Sequence, residues 1–443
     1  MRGNVKAAAA VLALAFVLSA LASASGSAVR LIGSSSTAAY FQKVRTPGSL
    51  GVDSFEGQTR LYERLRFDVL DIGEPSLTFH GFFTSFDNVS HQAIGDTRTR
   101  LYNAFFEYRP VLASARPFNY FARLGRQWVT SGVGSGILDG ALVQAERAGL
   151  CGLTLFGGTL GIDRFNEIQV DKPSDSNRYG GEIRIHPHLS DVTVPEVAVS
   201  YANTHRNGKA ESQRLGVRGD LRLHRELRIY SEVRHDFALA RTYGTTAGIE
   251  LQKHDSNTRL WFEYNRRTSA LPATNFFSVF DQRPISGIRG GLGFGLVGPY
   301  RLAFDFERTD FRNQATLLNV GGNALTRSNV DRSKSYRLVL ERGWAQIGGR
   351  VSTGFGGKQA GLVLIGSHDF GKLNLNLDLD YLHYNYDDNS LGDNHAASGI
   401  LAAAYEVASG TRVTAQIEAM NNRDLKRDVR LLARVDQRFR IGR

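Results

Sequence analysis

The segment Leu373–Tyr381 reads Leu-Asn-Leu-Asn-Leu-Asp-Leu-Asp-Tyr, apolar and polar residues alternating without a break. Successive side chains of a strand point to opposite faces, so this stretch has one apolar face and one acidic, wet face. The same period of two recurs along most of the chain. In Arg60–Val69, Leu61, Leu65, Phe67 and Val69 oppose Arg60, Arg64, Arg66 and Asp68. In Gln213–Leu223, Leu215, Val217, Leu221 and Leu223 oppose Arg214, Arg218, Asp220 and Arg222. Helical spacing of apolar residues is rare. The polar phase carries too many arginines to be the inner face of a soluble sandwich, where unpaired charge is prohibitive. Repeated strands of about ten residues, apolar on one face and charged on the other, predict an all-β, antiparallel, up-and-down transmembrane β-barrel.

The N-terminus supports export. Arg2 and Lys6 precede an apolar run from Ala7 to Leu21 and the small residues Ala22-Ser23-Ala24. This is the layout of a secretory signal peptide, residues 1–24, with the barrel expected over residues 25–443. The run falls short of the roughly 20 residues of a membrane-spanning helix, and no later segment reaches that length. The single cysteine, Cys151, excludes an intramolecular disulfide framework and covalent haem attachment by this chain. It reads as a small hydrophobe on a strand.

Connector lengths alternate. Short links at Asp71–Ser76, His224–Glu226, Val297–Pro299 and Phe370–Lys372 are interleaved with longer ones at Asp87–Thr97, Thr159–Asn177, Thr268–Pro284, Asp310–Lys334 and Asn385–Ala396. Outer-membrane barrels have this asymmetry, with tight periplasmic turns and longer outer loops. With Ser36–Lys43 as first strand and Val429–Ile441 as last, the count is about 22 strands, within a range of 18 to 22. Tyr102, Phe106, Tyr108, Tyr120, Trp261, Tyr264, Tyr300, Tyr381 and Tyr384 fall near predicted strand ends, where aromatic girdles meet the membrane interface.

The predicted lumen is rich in arginine. The formal net charge is +11, and two of those charges, Arg2 and Lys6, lie in the leader. A basic lumen attracts small anionic solutes. Arg214, Arg218 and Arg222 fall on one face, as do Arg60, Arg64 and Arg66; these are the leading candidates for a track facing the permeant. Arg123 and Arg126 join them. Acids on the same phase, among them Asp220, Asp378 and Asp380, are expected as counter-charges to arginines on adjacent strands, so bracing of the wall competes with an open anion path.

One segment departs from plain alternation: Arg123-Leu124-Gly125-Arg126-Gln127-Trp128, followed by Gly132, Gly134, Gly136 and Asp139-Gly140. Its glycines allow a tight loop or a wall bend beside Arg126. Here the chain resembles the alginate-export-like porins, whose strands carry Gly-Arg-Gln followed by a Gly-rich stretch. It is also similar to the porin components of outer-membrane porin–cytochrome electron conduits. The resemblance covers roughly residues 120–145 and the general barrel pattern. It implies an outer-membrane channel with an arginine-lined lumen and carries Arg126 over as a lumen residue. The chain departs from the usual assembly signal, a terminal aromatic, ending Phe439-Arg440-Ile441-Gly442-Arg443. Phe439 or Ile441 is the expected substitute.

Other chemistries find little support. His186-Pro187-His188 lacks the third and fourth ligands zinc needs, and Asp387–Asp393 lacks EF-hand spacing. There is no P-loop, dinucleotide fingerprint or nucleophile elbow, so no cofactor and no enzymatic activity are expected. Basic charge is spread over strands rather than clustered, which disfavours nucleic acid. A barrel near 22 strands is wide, and the roughly dozen residues before the first strand are too few for a plug. Two readings follow: a loop-constricted channel passing small or anionic solutes, or a sleeve in outer-membrane lipid that holds a periplasmic multihaem cytochrome. A barrel hydrolase is a third.

Overall fold

The computed structural model describes residues 29–46, 54–73, 75–89, 98–110, 118–161, 175–187, 189, 193–224, 226–253, 255–268, 285–311, 332–354, 357–385, 393–421 and 428–442. The leader, His188 and most of the Asp387–Asp393 segment lie outside them. Twenty-two strands form one sheet. They are β1 (Arg30–Thr46), β2 (Ser54–Leu70), β3 (Leu77–Asn88), β4 (Arg98–Tyr108), β5 (Phe118–Ser131), β6 (Gly134–Arg147), β7 (Cys151–Leu160), β8 (Ser176–Ile185), β9 (Thr193–Arg206), β10 (Lys209–Leu223) and β11 (Leu227–Asp236). The second half comprises β12 (Arg241–Lys253), β13 (Thr258–Arg267), β14 (Ile285–Gly295), β15 (Tyr300–Phe311), β16 (Arg332–Arg342), β17 (Ala345–Gly354), β18 (Gly357–Phe370), β19 (Leu373–Asn385), β20 (Asp393–Ala408), β21 (Thr411–Asn421) and β22 (Asp428–Ile441).

Each strand pairs antiparallel with the next, and β22 pairs antiparallel with β1 through twelve register positions from Leu31↔Ile441 to Gln42↔Arg430. The sheet therefore closes, which removes the exposed edges an open sheet of this length would present. The even count of 22 agrees with the alternation read from the sequence, and no helix occurs among the described residues. The first strand runs longer than Ser36–Lys43 because residues 31–35 continue the pairing with both β2 and β22 and residues 44–46 continue it with β2.

Phase assigns the two faces. Leu124, Leu155, Ile183, Val199, Leu338 and Leu362 are exposed and belong to the apolar phase of their strands, the belt that suits hydrocarbon. The opposite phase carries the ion pairs described below and lines the lumen. In β19 this places Leu379 and Tyr381 outward and Asp378 and Asp380 inward. Phe106, Tyr108, Tyr120, Tyr264, Tyr300 and Tyr381 are outward and exposed, as expected of interface aromatics. Trp261 and Tyr384 are corrections to that set. Trp261 pairs with Glu250 and Gly291 on the lumen phase and lies under the Arg289 guanidinium at 5.8 Å. Tyr384 shares its phase with Asp378 and Asp380.

Phe439, a candidate terminal signal residue, is on the outward phase over Gly33 and packs with Phe67, Val69 and Phe79. Ile441 is outward and exposed.

Candidate functional site: a hairpin folded onto the basic wall

The β5–β6 hairpin does not follow the wall to its tip. β4 pairs with β5 only from Tyr108↔Ala122 to Ala104↔Arg126, and β7 pairs with β6 only as far as Leu138↔Leu160. Beyond those points Trp128–Ser131 forms rungs only with Gly134–Ile137. The departure lies on a row of glycines, Gly125↔Gly140↔Gly158, in direct register across three strands. Gly125 has φ +128°, a conformation that L side chains rarely adopt. A Cβ on Gly140 would run into the Gly157 carbonyl and the Gly158 Cα, so the adjacent backbones approach as only glycine permits. The wall bend expected beside Arg126 is thus present, made by these three glycines, while Gly132, Gly134 and Gly136 form the tip.

Past the crease the hairpin lies on the inner face of the following strands. The Gly132 N–H donates to Glu182 Oε2 at 3.1 Å, and the same oxygen accepts the Ser200 hydroxyl at 2.7 Å. The Tyr243 hydroxyl donates to the Val133 carbonyl at 3.1 Å. Val133 is 1% exposed and sits where Gly216 leaves room; a Cβ there would come within 2.8 Å of Val133 Cγ1. Val129, Val133, Leu138, Leu142, Phe156 and Ala202 form one buried apolar cluster between hairpin and wall. Each fully buried Val, Leu or Phe contributes about 1.5–3 kcal/mol relative to exposure, so docking is stable against thermal undocking. Contacts from β8 through β12 span roughly 20 Å of circumference at the usual strand spacing. Because Val129 and Leu138 face the wall, the other phase of the hairpin, with exposed Trp128, Thr130 and Ser135, faces the lumen.

Arg126 is at the crease. It shares its phase with Leu124 and Trp128, opposite to Arg123, and its guanidinium makes a bidentate pair with Asp139 at 2.7 and 2.7 Å. The two side chains are only 6% and 8% exposed. Arg126 is therefore a structural member of the bend rather than part of an open wall. Arg123 faces the lumen, donates to Glu107 at 2.6 Å and stacks over Phe121 and Phe105.

The wall under and beside the hairpin is braced by cross-strand pairs. Arg218 meets Glu196 at 2.6 Å, Arg259 meets Glu250 at 2.6 Å and Arg289 meets Glu263 at 2.7 Å, while Arg234 meets Glu232 at 2.7 Å within β11. Asp220 pairs with Arg228 and, at 4.0 Å, with Arg222. Arg214 is held at 3.2 Å by Asp236, which is fully buried and also accepts the Ala238 N–H at 3.0 Å. Much of the predicted basic track is thus neutralised locally. Within β2, Arg60 donates to Gln58 at 3.0 Å. Arg64 and Arg66 are exposed and, with Arg178, Arg438 and Arg440, have no ion pair among the described residues.

Asp378 and Asp380 differ from expectation. Their inward neighbours on β18 and β20 are Ile365 and Ile400, and Val363 and Ser398. No arginine pairs with them among the described residues, because register sets three apolar side chains and Ser398 beside them. The lumen therefore has a surplus of arginine over β8 and the β22–β1–β2 seam, and unpaired acid on β19. No group of three or more His, Cys, Asp or Glu that could hold a metal occurs among the described residues.

Sequence reasoning missed Arg178, Glu182, Ser200, Asp236 and Tyr243. Arg178-Tyr179-Gly180-Gly181-Glu182-Ile183 does alternate, but the two glycines blur it. The contacts of Glu182 and Tyr243 with the hairpin cross 50 and 110 residues and leave no local signal.

No protein-family description and no curated protein matches the chain. Solved structures do. Acinetobacter baumannii OccAB4 aligns over 93% of this chain and 98% of its own at 10% identity and a TM-score of 0.40. A BenF-like porin from Pseudomonas fluorescens Pf-5 covers 93% and 99% at 10% identity and 0.43. The P pilus usher (PapC) translocation pore covers 92% and 99% at 9% identity and 0.47. At this level of likeness, function has to be read from the lumen itself.

Proposed function

We propose that the protein is a bacterial outer-membrane channel, narrowed by the β5–β6 hairpin, that passes small anionic solutes along a basic wall. The observation that carries this is the docked hairpin. An unobstructed barrel of 22 strands would leak, and this chain supplies its own constriction from a segment fixed by hydrogen bonds and an apolar cluster. Arg64, Arg66, Arg178, Arg438 and Arg440, which have no ion pair among the described residues, supply the positive potential that remains after bracing. The segment resembling alginate-export-like porins is the same one that forms the crease, which supports a role for it in permeation. A sleeve around a multihaem cytochrome would leave the lumen to its partner, whereas here the hairpin already occupies part of it.

In a planar bilayer under a KCl gradient, the purified protein is expected to give steady conductance with a reversal potential of the sign set by chloride. Cation preference, or no conductance at all, would overturn this reading.

A further inference from the structure

We propose that the outer end of β13–β18 carries, on its membrane-facing side, a docking arc for an outer-leaflet lipid whose headgroup bears more than one phosphate. Every residue of the arc points away from the lumen, so it stands apart from whatever the channel passes.

Register gathers the cations. Arg266 shares its phase with outward Tyr264, Lys334 with Tyr336 and Leu338, and Lys358 with Leu362. Arg308 stands between Ile288 and Lys334, Lys334 and Lys358 flank Thr353, and Arg332 faces Asp310. Each of the five cations lies within three residues of the outer end of its strand, the end that carries the long connectors. Arg266, Arg332, Lys334 and Lys358 are exposed. The next outward residue toward the membrane is aromatic three times: Tyr264 below Arg266, Phe306 below Arg308 and Tyr336 below Lys334. Aromatic rings settle where hydrocarbon gives way to headgroups, so cations one layer above them stand at headgroup height. Their aliphatic stems lie along apolar surface while the charged ends stay in the polar layer.

Charge and length select the ligand class. Asp310 is the one described carboxylate on this phase at this end of β13–β18, and two arginines share it, Arg308 at 3.2 Å and Arg332 at 3.3 Å. Arg266, Lys334 and Lys358 have no ion pair among the described residues. The arc is thus strongly positive, and phosphate oxygens accept charge-assisted hydrogen bonds from both lysine and arginine. At the periplasmic end of the same strands the outward phase carries one described cation, Arg342, laid against Tyr300 and Trp344 at 5.3 and 5.7 Å. The basic arc therefore belongs to one leaflet and not to the membrane face in general. Five strand spacings make it about 24 Å long, more than a single phosphate can cover. Because the fixed cations supply the neutralising charge themselves, docking proceeds without a bridging metal ion.

The test uses the detergent-solubilised full barrel with diphosphoryl lipid A as probe, in the presence of EDTA, and reads bound lipid by native mass spectrometry. The lipid is expected to bind saturably and more tightly than its monophosphoryl form. Lys334→Gln combined with Lys358→Gln should weaken it about thirtyfold, the effect of two lysines lost beside an anionic headgroup layer. Lys253→Gln combined with Lys372→Gln removes the same charge from exposed positions at the periplasmic end and should leave the affinity unchanged. Heat-modifiable gel mobility establishes that both variants are folded. Equal losses in the two variants, no preference for the second phosphate, or binding only after magnesium is added would overturn the arc. Displacement of the lipid by millimolar inorganic phosphate would assign the cations to free phosphate and overturn the lipid as occupant. Bilayer conductance is expected to be the same in Lys334→Gln/Lys358→Gln as in the wild type, so loss of the docking arc and loss of the channel reading show separately.

Discussion

Val133→Lys is expected to raise single-channel conductance severalfold while leaving the barrel assembled. Val133 is almost wholly buried between the hairpin and the wall, in the cluster with Leu138, Leu142 and Phe156. An ammonium group there costs several kcal/mol, because it is taken out of water among apolar side chains and next to the Arg178 and Arg214 guanidiniums that face neighbouring Gly134. That exceeds what any one apolar contact of the hairpin contributes, about 1.5–3 kcal/mol. Past the Leu138↔Leu160 pair the two hairpin strands form rungs only with each other, so release of the tip breaks no rung of the closed sheet. The wall then keeps its register and its heat-modifiable mobility while the constriction is lost. Unchanged conductance would mean that the hairpin does not limit the pore.

Gly140→Val reaches the same end by a different route. The new side chain would collide with the backbone of β7 at Gly157 and Gly158, which the β6–β7 register holds in place. Backbone cannot step aside as a flexible side chain can, and overpacking of this kind costs about 1–3 kcal/mol or more. The crease must flatten, and a flattened crease carries the tip away from Ser200 and Tyr243. Conductance close to that of Val133→Lys is the expected result in bilayer recordings. Gly219→Val serves as control, since a Cβ there meets nothing nearer than Ser231 Oγ at 3.7 Å. Wild-type conductance in Gly140→Val would show that the bend does not depend on this glycine.

Period two made the barrel legible. The Leu373–Tyr381 alternation is β19, apolar side outward, and its repetition led to a count of about 22 strands. Alternation assigns a face to each side chain but says nothing about which residue stands beside it. Neighbours depend on register, which is set by the closure of the whole sheet. Asp220 does meet arginines, Arg228 and Arg222, whereas Asp378 and Asp380 on an equally regular strand meet Ile365, Val363 and Ile400. Arg123 and Arg126 stand three apart, so they occupy opposite phases of β5, and only the first faces the lumen. The glycines near Arg126 signalled a bend. Where the bent hairpin lands was invisible, because its partners lie on β8, β9, β10 and β12.

The docked hairpin is the centre of this account, and disulfide trapping tests it most directly. A Cβ on Gly132 would stand 3.3 Å from Ser200 Cβ, close to the separation a disulfide spans. In a Cys151→Ser background, Gly132→Cys combined with Ser200→Cys should form an intramolecular disulfide in the assembled barrel under mild oxidation, with conductance little changed. Both thiols remaining free and open to maleimide labelling after oxidation would contradict it.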